Sequence, residues 1–358
     1  MIKHFAKPLN ALLIFVPIAL IAELAHANPM LVFIAAALAV VPLSGILGDA
    51  TEELAGRTGP RIGALINATL GNAAELIITV LALREGLYDL VRASITGSII
   101  GNILLVAGAS LIVGGLKHGT QQFNRRDAGL NATLLIVAAM VLAVPSIFSF
   151  AIEPNRANVD TLSLLTAGLI IIVYVLSLVF GMTAKHAEPV TRGPAHVPHF
   201  PMRTAIVLLI VSTVLIALMS EFLVGAVEPM VKQIGISELF VGVILVPIIG
   251  NVAEHVVAIE VAAKNKMDLT MGIAVGSSLQ VALFVAPLLV FISLFFGRVL
   301  DLEFTNFEVI ALLASSIIAA FVSLDGETNW LEGVLLVALY LILAVAFFFL
   351  PTMPGLAH

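Results

Sequence analysis

The chain has 358 residues, of which 60% are hydrophobic and only 11% charged, and its mean hydropathy is +1.13. A soluble domain carries about 25% charged residues, so the composition excludes a soluble protein and leaves no room for a sizeable soluble domain. The net charge of −6 says little, because the placement of positive charge is what orients such a chain, and the lack of Cys excludes disulfides, thiolate metal sites and thiol redox chemistry.

The apolar stretches are long and separated by short polar breaks, as in helices rather than barrel strands. Eleven spans are predicted, near 10–27, 30–52, 61–84, 89–115, 128–150, 160–183, 203–226, 237–262, 269–296, 305–323 and 330–350. The expected class is therefore an all-α integral membrane protein. The first span lies in "MIKHFAKPLNALLIFVPIALIAELAHAN", whose basic start and Ala25-His26-Ala27 ending also suit a cleaved signal peptide. A retained helix is preferred because the next span follows almost at once; cleavage would leave ten spans in the same orientation.

Span two ends in "LSGILGDATEELAGRTG", where Asp49, Glu52 and Glu53 form one acidic stripe at i, i+3, i+4 spacing. Span three contains "TLGNAAELIITVLAL", with Asn72 and Glu75 near its middle, and span four contains "SITGSIIGN", with Ser98 and Asn102. The longest break, "KHAEPVTRGPAHVPHFP", is rich in Pro and His and reads as an exposed, extended linker rather than a metal site. Span seven carries Glu228 near its outer end, the counterpart of the span-two acids after a three-residue adjustment. Span eight contains "IIGNVAEHVVAIEVA", with Asn251, Glu254, His255 and Glu260, and span nine contains "GIAVGSSLQ", with Ser277, Ser278 and Gln280. Asp89 and Asp268 begin spans four and nine as ordinary N-caps.

With the N-terminus inside, the inner segments hold twelve Lys and Arg against five outside. The N-terminus is thus expected in the cytoplasm and the C-terminus on the opposite side, in a plasma or inner membrane.

Sliding the chain against itself by 179 residues brings Gly71, Asn72, Ala74, Glu75, Asp89, Leu90, Gly97, Ser98, Leu104, Val106 and Ala107 onto identical residues, eleven matches in 37 ungapped positions. Apolar coincidences are cheap in such a chain, but Gly-Asn, Glu, Asp and Gly-Ser falling in one register are not. The expected organisation is a first helix (1–28), a five-span repeat (29–184), a cytoplasmic linker (185–202) and a second five-span repeat (203–358). An odd span number gives the two repeats opposite topology, with a substrate site near the midplane where the repeats meet.

A carboxylate at the centre of a membrane helix disfavours insertion by roughly 2.5–3.5 kcal/mol. This chain places two there, and no Lys or Arg lies deep inside spans three, four, eight or nine. The partner is then a mobile cation, or a proton in its absence; the alternative is a pair of permanently protonated, hydrogen-bonded Glu. Asn72 with Glu75 and Asn251 with Glu254 each share a helix face at i, i+3 spacing, giving two hard oxygen ligands per repeat. Ser98, Ser277, Asn102 and Gln280 are further oxygen donors; Ser278 suits small-residue packing equally well. Such a site suits Ca²⁺, which takes six to eight oxygens in flexible geometry, better than Mg²⁺ or Zn²⁺. Two negative charges are neutralised by one Ca²⁺ or by two H⁺, the simplest basis for exchange. His255, matched by Leu76, either tunes proton transfer or packs. Glu52, Glu53 and Glu228 are either solvated helix ends or cation funnels, and Glu260 is a candidate for the inner exit.

At "GNAAELI" and "GNVAEHV" the chain resembles the calcium/cation–proton antiporter family of the cation/Ca²⁺ exchanger superfamily, and "SITGSIIGNILLV" and "GSSLQVALFV" resemble its neighbouring segments. The resemblance covers nearly the whole chain. It implies a 1+5+5 arrangement, export of cytosolic Ca²⁺ against entering H⁺, Glu75 and Glu254 as shared carriers, and sliding of spans two and seven as the access switch. Many relatives carry an acidic helix in the linker, where this chain has only Glu188. The expected function is thus Ca²⁺/H⁺ antiport, a transporter rather than an enzyme; the rivals are a Na⁺-coupled or broader cation exchanger and a Ca²⁺ channel. The expected partners are Ca²⁺, H⁺ and the lipid bilayer, with no cofactor and no nucleic acid; assembly of identical copies is left open.

Overall fold

A computed structural model of the chain describes residues 8–151, 155–183 and 201–350. Of the expected linker at 185–202, residues 185–200, with the His residues and Glu188, lie outside the described residues, as do Lys3, Lys7, Lys185 and Arg192. Among the described residues the chain is helical except for turns and one two-residue antiparallel ladder, Gln121–Gln122 with Glu327–Thr328.

Among the described residues, eight helices are long and apolar enough to cross a membrane, and two shorter apolar ones cover 9–24 and 306–322. Their boundaries follow local chemistry. Asn28 accepts from the Met30 backbone N–H at 2.9 Å, and Pro29 opens the Pro29–Arg57 helix where a missing N–H costs nothing. Thr305 and Glu308 form a reciprocal capping box at the start of Asn306–Val322. Two boundaries depart from expectation. Span three is not one helix but two, Pro60–Leu70 and Ala73–Arg84, interrupted at Gly71–Asn72. Span seven continues to Ile234 instead of stopping near 226, so Glu228 and Pro229 lie within the Met202–Ile234 helix.

Three π-helical segments, Gly101–Val106, Val241–Leu245 and Val281–Val285, widen otherwise α-helical spans. Such segments occur frequently at functional sites. The first and third occupy matching positions in the 179-residue register.

The chain divides into two compact units that do not follow the repeat boundaries. The first comprises Met1–Leu90, Pro194–Glu254 and Phe348–His358; the second comprises Val91–Gly193 and His255–Phe347. In the first, the Pro29–Arg57 and Met202–Ile234 helices pack extensively against each other. The fully buried Ala35, Ala36, Ala39 and Val40 supply a small-residue surface, and Ile216, Met219, Leu223 and Val227 provide the bulk.

In the second unit, Arg125–Ala151 packs on Asn306–Val322 and on Met267–Gln280, while Arg156–Thr183 packs on Ala286–Ser293. The outward side of Arg156–Thr183 exposes Leu165, Leu169, Ile172 and Leu176 at helical spacing, as expected of a lipid-facing stripe. The 297–305 turn is pinned by Asp301, only 1% exposed, which is ion-paired to Arg92 and, at 2.9 Å, to Arg156. The buried Glu308 also accepts from Thr96 at 3.1 Å.

Removing one partner of a buried ion pair costs about 3–5 kcal/mol. Asp301→Ala is therefore expected to lower the thermal unfolding midpoint of the detergent-purified protein sharply. Glu327→Gln, an exposed change, should leave it nearly unmoved; equal midpoints for both would remove Asp301 as a structural hub.

Candidate cation site

Glu75 owes its setting to the interruption of span three. At Gly71 a Cβ would lie 2.5 Å from the Asn67 carbonyl oxygen, so the chain turns where only Gly fits. A new helix begins at Ala73, and Glu75 falls in its first turn, where the helix dipole favours negative charge. Asn72 occupies the cap position without using its side chain to cap the helix. Both side chains are buried, Asn72 at 1% and Glu75 at 4% exposure. Thr79 donates to the Glu75 backbone carbonyl at 2.7 Å and secures the turn beneath it.

The second signature meets this carboxylate directly. The amide nitrogen of buried Asn251 donates to Glu75 Oε1, linking positions 176 residues apart. Gly250 makes the approach feasible, since a Cβ there would lie 3.1 Å from Glu75 Cγ. The Val246–Ala262 helix runs unbroken through Gly250 and Asn251, with its irregularity placed earlier, in the π segment. Glu254 follows Asn251 by three residues, a rise of about 4.5 Å, and is half-buried. Gly45 of the Pro29–Arg57 helix faces Ala253, its added Cβ lying 3.8 Å from that of Ala253. The first unit thus holds Asn72, Glu75, Asn251 and Glu254.

Ser98, Asn102, Ser277 and Gln280 fall in the second unit. There Asn102 donates to Ser277 at 3.0 Å in a buried bond between repeat-matched segments. Ser278 donates to the Ile99 and Ala274 carbonyls at 3.2 and 3.1 Å, so its hydroxyl serves helix packing. Ser98 is buried, and Gln280 and His255 are half-buried.

The outlying acids are more varied than a stripe suggests. Asp49 is half-buried and Glu52 exposed, but Glu53 is 1% exposed and bound by Arg57 Nε at 2.8 Å and a terminal nitrogen at 2.6 Å. Glu53 therefore serves an i, i+4 pair within its helix instead of presenting a carboxylate to an open vestibule. Glu228 meets Lys232 at 2.6 Å and Glu260 lies 3.8 Å from Lys264, both in exposed i, i+4 pairs. Sequence reading missed the Arg84–Glu221 contact at 3.0 Å, which ties the Ala73–Arg84 helix to Met202–Ile234. No local spacing signals a pair 137 residues apart. Among the described residues no group of three or more His, Cys, Asp or Glu converges. A cation bound at these acids would complete its shell with amide, hydroxyl, backbone or water oxygens.

Two stretches, residues 28–183 and 204–349, match the family described as sodium/calcium exchanger protein. The chain is 41% identical to the Ca²⁺/H⁺ antiporter of Aphanothece halophytica, over 96% of each chain. It is 42% identical to the Ca²⁺/H⁺ antiporter ChaA of Bacillus subtilis, over 94% of this chain and 97% of that one. It superposes on the crystal structure of the selenium-substituted Ca²⁺/H⁺ antiporter protein YfkE with a TM-score of 0.84 and 41% identity, covering 95% and 98% of the two chains.

Because a Cβ at Gly250 already crowds Glu75, Gly250→Val is expected to cost about 1–3 kcal/mol, the usual penalty for overpacking. Gly276, with nothing within 4 Å of its added Cβ, should accept Ala without loss. Thermal unfolding of both variants in detergent checks the contrast.

Proposed function

The chain belongs to the sodium/calcium exchanger family, and from this premise we propose that it is a Ca²⁺/H⁺ antiporter that exports cytosolic Ca²⁺ by alternating access. Glu75 and Glu254 are the shared carriers. Asn72 and Asn251 contribute amide oxygens, and Ser98, Ser277, Asn102 and Gln280 supply further oxygen ligands. The proposed topology is eleven spans, a first helix followed by two inverted five-span repeats, with a cytoplasmic N-terminus. Glu52 and Glu228 attract cations at the mouths, Glu260 lines the inner exit, and His255 adjoins the proton path.

The observation that carries this reading is the bond from Asn251 to Glu75. It joins the two signature segments at a buried carboxylate, as expected if both repeats build one site. Exchange then follows from the cost of burying charge. Two carboxylates close together disfavour joint ionisation, so an empty, doubly ionised site is the costliest form to carry across an apolar barrier. Ca²⁺ neutralises both charges at once, and two protons do the same. Access changes when either load is aboard and is slow when neither is. Where protons are abundant outside, protonation releases Ca²⁺; inside, loss of the protons restores the cation site.

Proteoliposomes with an imposed pH gradient test this directly. Ca²⁺-dependent proton flux without Na⁺ is expected, whereas a requirement for Na⁺, or Ca²⁺ movement without proton movement, would overturn antiport with H⁺. Glu75→Gln and Glu254→Gln should each abolish exchange, by 100-fold or more on the order of the lost charge pairing, while unfolding midpoints stay near that of the parent. Acidifying the side from which Ca²⁺ is taken up should raise the KM for Ca²⁺ and leave the maximal rate unchanged, because H⁺ and Ca²⁺ compete for the same oxygens.

A further inference from the structure

A cavity of about 700 Å³ opens in the second unit where the Arg125–Ala151 helix begins and the Asn306–Val322 helix ends. Three turns gather on this face. Lys117 donates to the Ala263 carbonyl at 2.9 Å, the Phe123 N–H donates to Gly326 at 2.9 Å, and the Gln121–Thr328 ladder joins the first turn to the third. The face therefore carries Lys117, Arg125, Arg126, Lys264 and Lys266, the Lys/Arg concentration expected at one membrane surface. Trp330 is 46% exposed beside it, where an indole suits the headgroup level.

Arg125 and Arg126 both line the cavity and are exposed, and among the described residues neither guanidinium has an ion pair or hydrogen bond. The acids of this face are engaged elsewhere. Asp127 accepts from the Asn124 amide, Asp268 from the Asn124 N–H, Glu327 from Gln122, and Asp325 from the Glu327 N–H. None of them lines the cavity. The helix terminus itself is not the attraction, since Asn124 already takes the N–H groups of Arg126, Asp127 and Ala128.

Below the two arginines the wall turns apolar, with Ala132, Ala320 and Leu324. The two helices continue with exposed Val137, Ile317 and Phe321. A ligand matching this surface is anionic at one end and apolar at the other. We propose that the cavity binds the headgroup phosphate of an anionic phospholipid, with Arg125 and Arg126 on the phosphate oxygens and an acyl chain along the apolar wall. Paired guanidinium groups match phosphate geometry, and they disfavour a zwitterionic headgroup whose ammonium would face them. The site stands apart from the ion-exchange reading and does not depend on it.

Native mass spectrometry of the full-length detergent-purified protein, titrated with phosphatidylglycerol, phosphatidylcholine or inorganic phosphate, tests the assignment. The parent should retain phosphatidylglycerol in preference to phosphatidylcholine by about thirtyfold, as two basic residues at a membrane surface supply. Arg125→Gln/Arg126→Gln should erase that preference, and so should Leu324→Glu, which places a charge on the exposed rim without disturbing the core. Equal phosphatidylglycerol retention by the parent and both variants would overturn the proposal. Inorganic phosphate displacing phosphatidylglycerol at comparable concentration would also overturn it, leaving a simple anion site.

Discussion

An acidic side chain buried in an apolar helical protein must be stabilised by something nearby, and at Glu75 that requirement shapes the local chain. A continuous helix would give its middle no special affinity for negative charge. Interrupting it at Gly71–Asn72 puts Glu75 in the first turn of a fresh helix, beside the positive end of its dipole. Gly250 then allows the facing helix close enough for the Asn251 amide to reach the carboxylate. Each feature is a small departure from the most stable helix, and each serves the same oxygen atoms.

The two signatures share their letters but not their backbone. Gly71–Asn72 breaks a helix, whereas Gly250–Asn251 sits within an unbroken one whose π segment lies at Val241–Leu245. Within the second unit, by contrast, the π segments at 101–106 and 281–285 are matched. Related sequence is thus held in unlike geometry at the acidic residues and in like geometry shortly after Ser98 and Ser277. For the alternating access proposed above, this is a sensible division. A pair of repeats in identical conformations would open equally to both sides, so a single structure is expected to catch them in different shapes.

Much of the helical organisation was legible because hydropathy is a property of long windows. The same averaging hides what happens at one or two residues. The interruption at Gly71 lies inside an apolar run, and the extension of span seven past 226 runs through Glu228 and Pro229, which look like an end. Glu53 with Arg57 was readable as an i, i+4 pair, and its burial was not, because nothing in the stripe says which side of the helix faces protein. Asp301 with Arg92 joins positions 209 residues apart and has no periodicity to announce it. At the site, Asn72, Glu75, Asn251 and Glu254 stood out because their repetition costs something in a membrane. Gly250 was visible as a repeated letter, but its role as clearance for Glu75 belongs to packing.

Not every buried carboxylate here is suited to carrying cargo, and the distinction lies in what neutralises it. Asp301 meets two guanidinium groups and Glu53 meets one, each attached covalently to the same chain. A tethered counter-charge at such short range outcompetes a dilute mobile cation and remains in place whatever the solution contains; those acids fasten the fold. At Glu75 Oε1 the donor is an amide of the opposite signature, which orients the carboxylate without itself cancelling the charge. An amide can also share its oxygen with a cation when one arrives, which a guanidinium cannot. Carboxylates aligned by neutral partners keep their affinity for an exchangeable charge, and carboxylates aligned by arginine spend it. That difference separates the acids that hold this protein together from those proposed to do its transport.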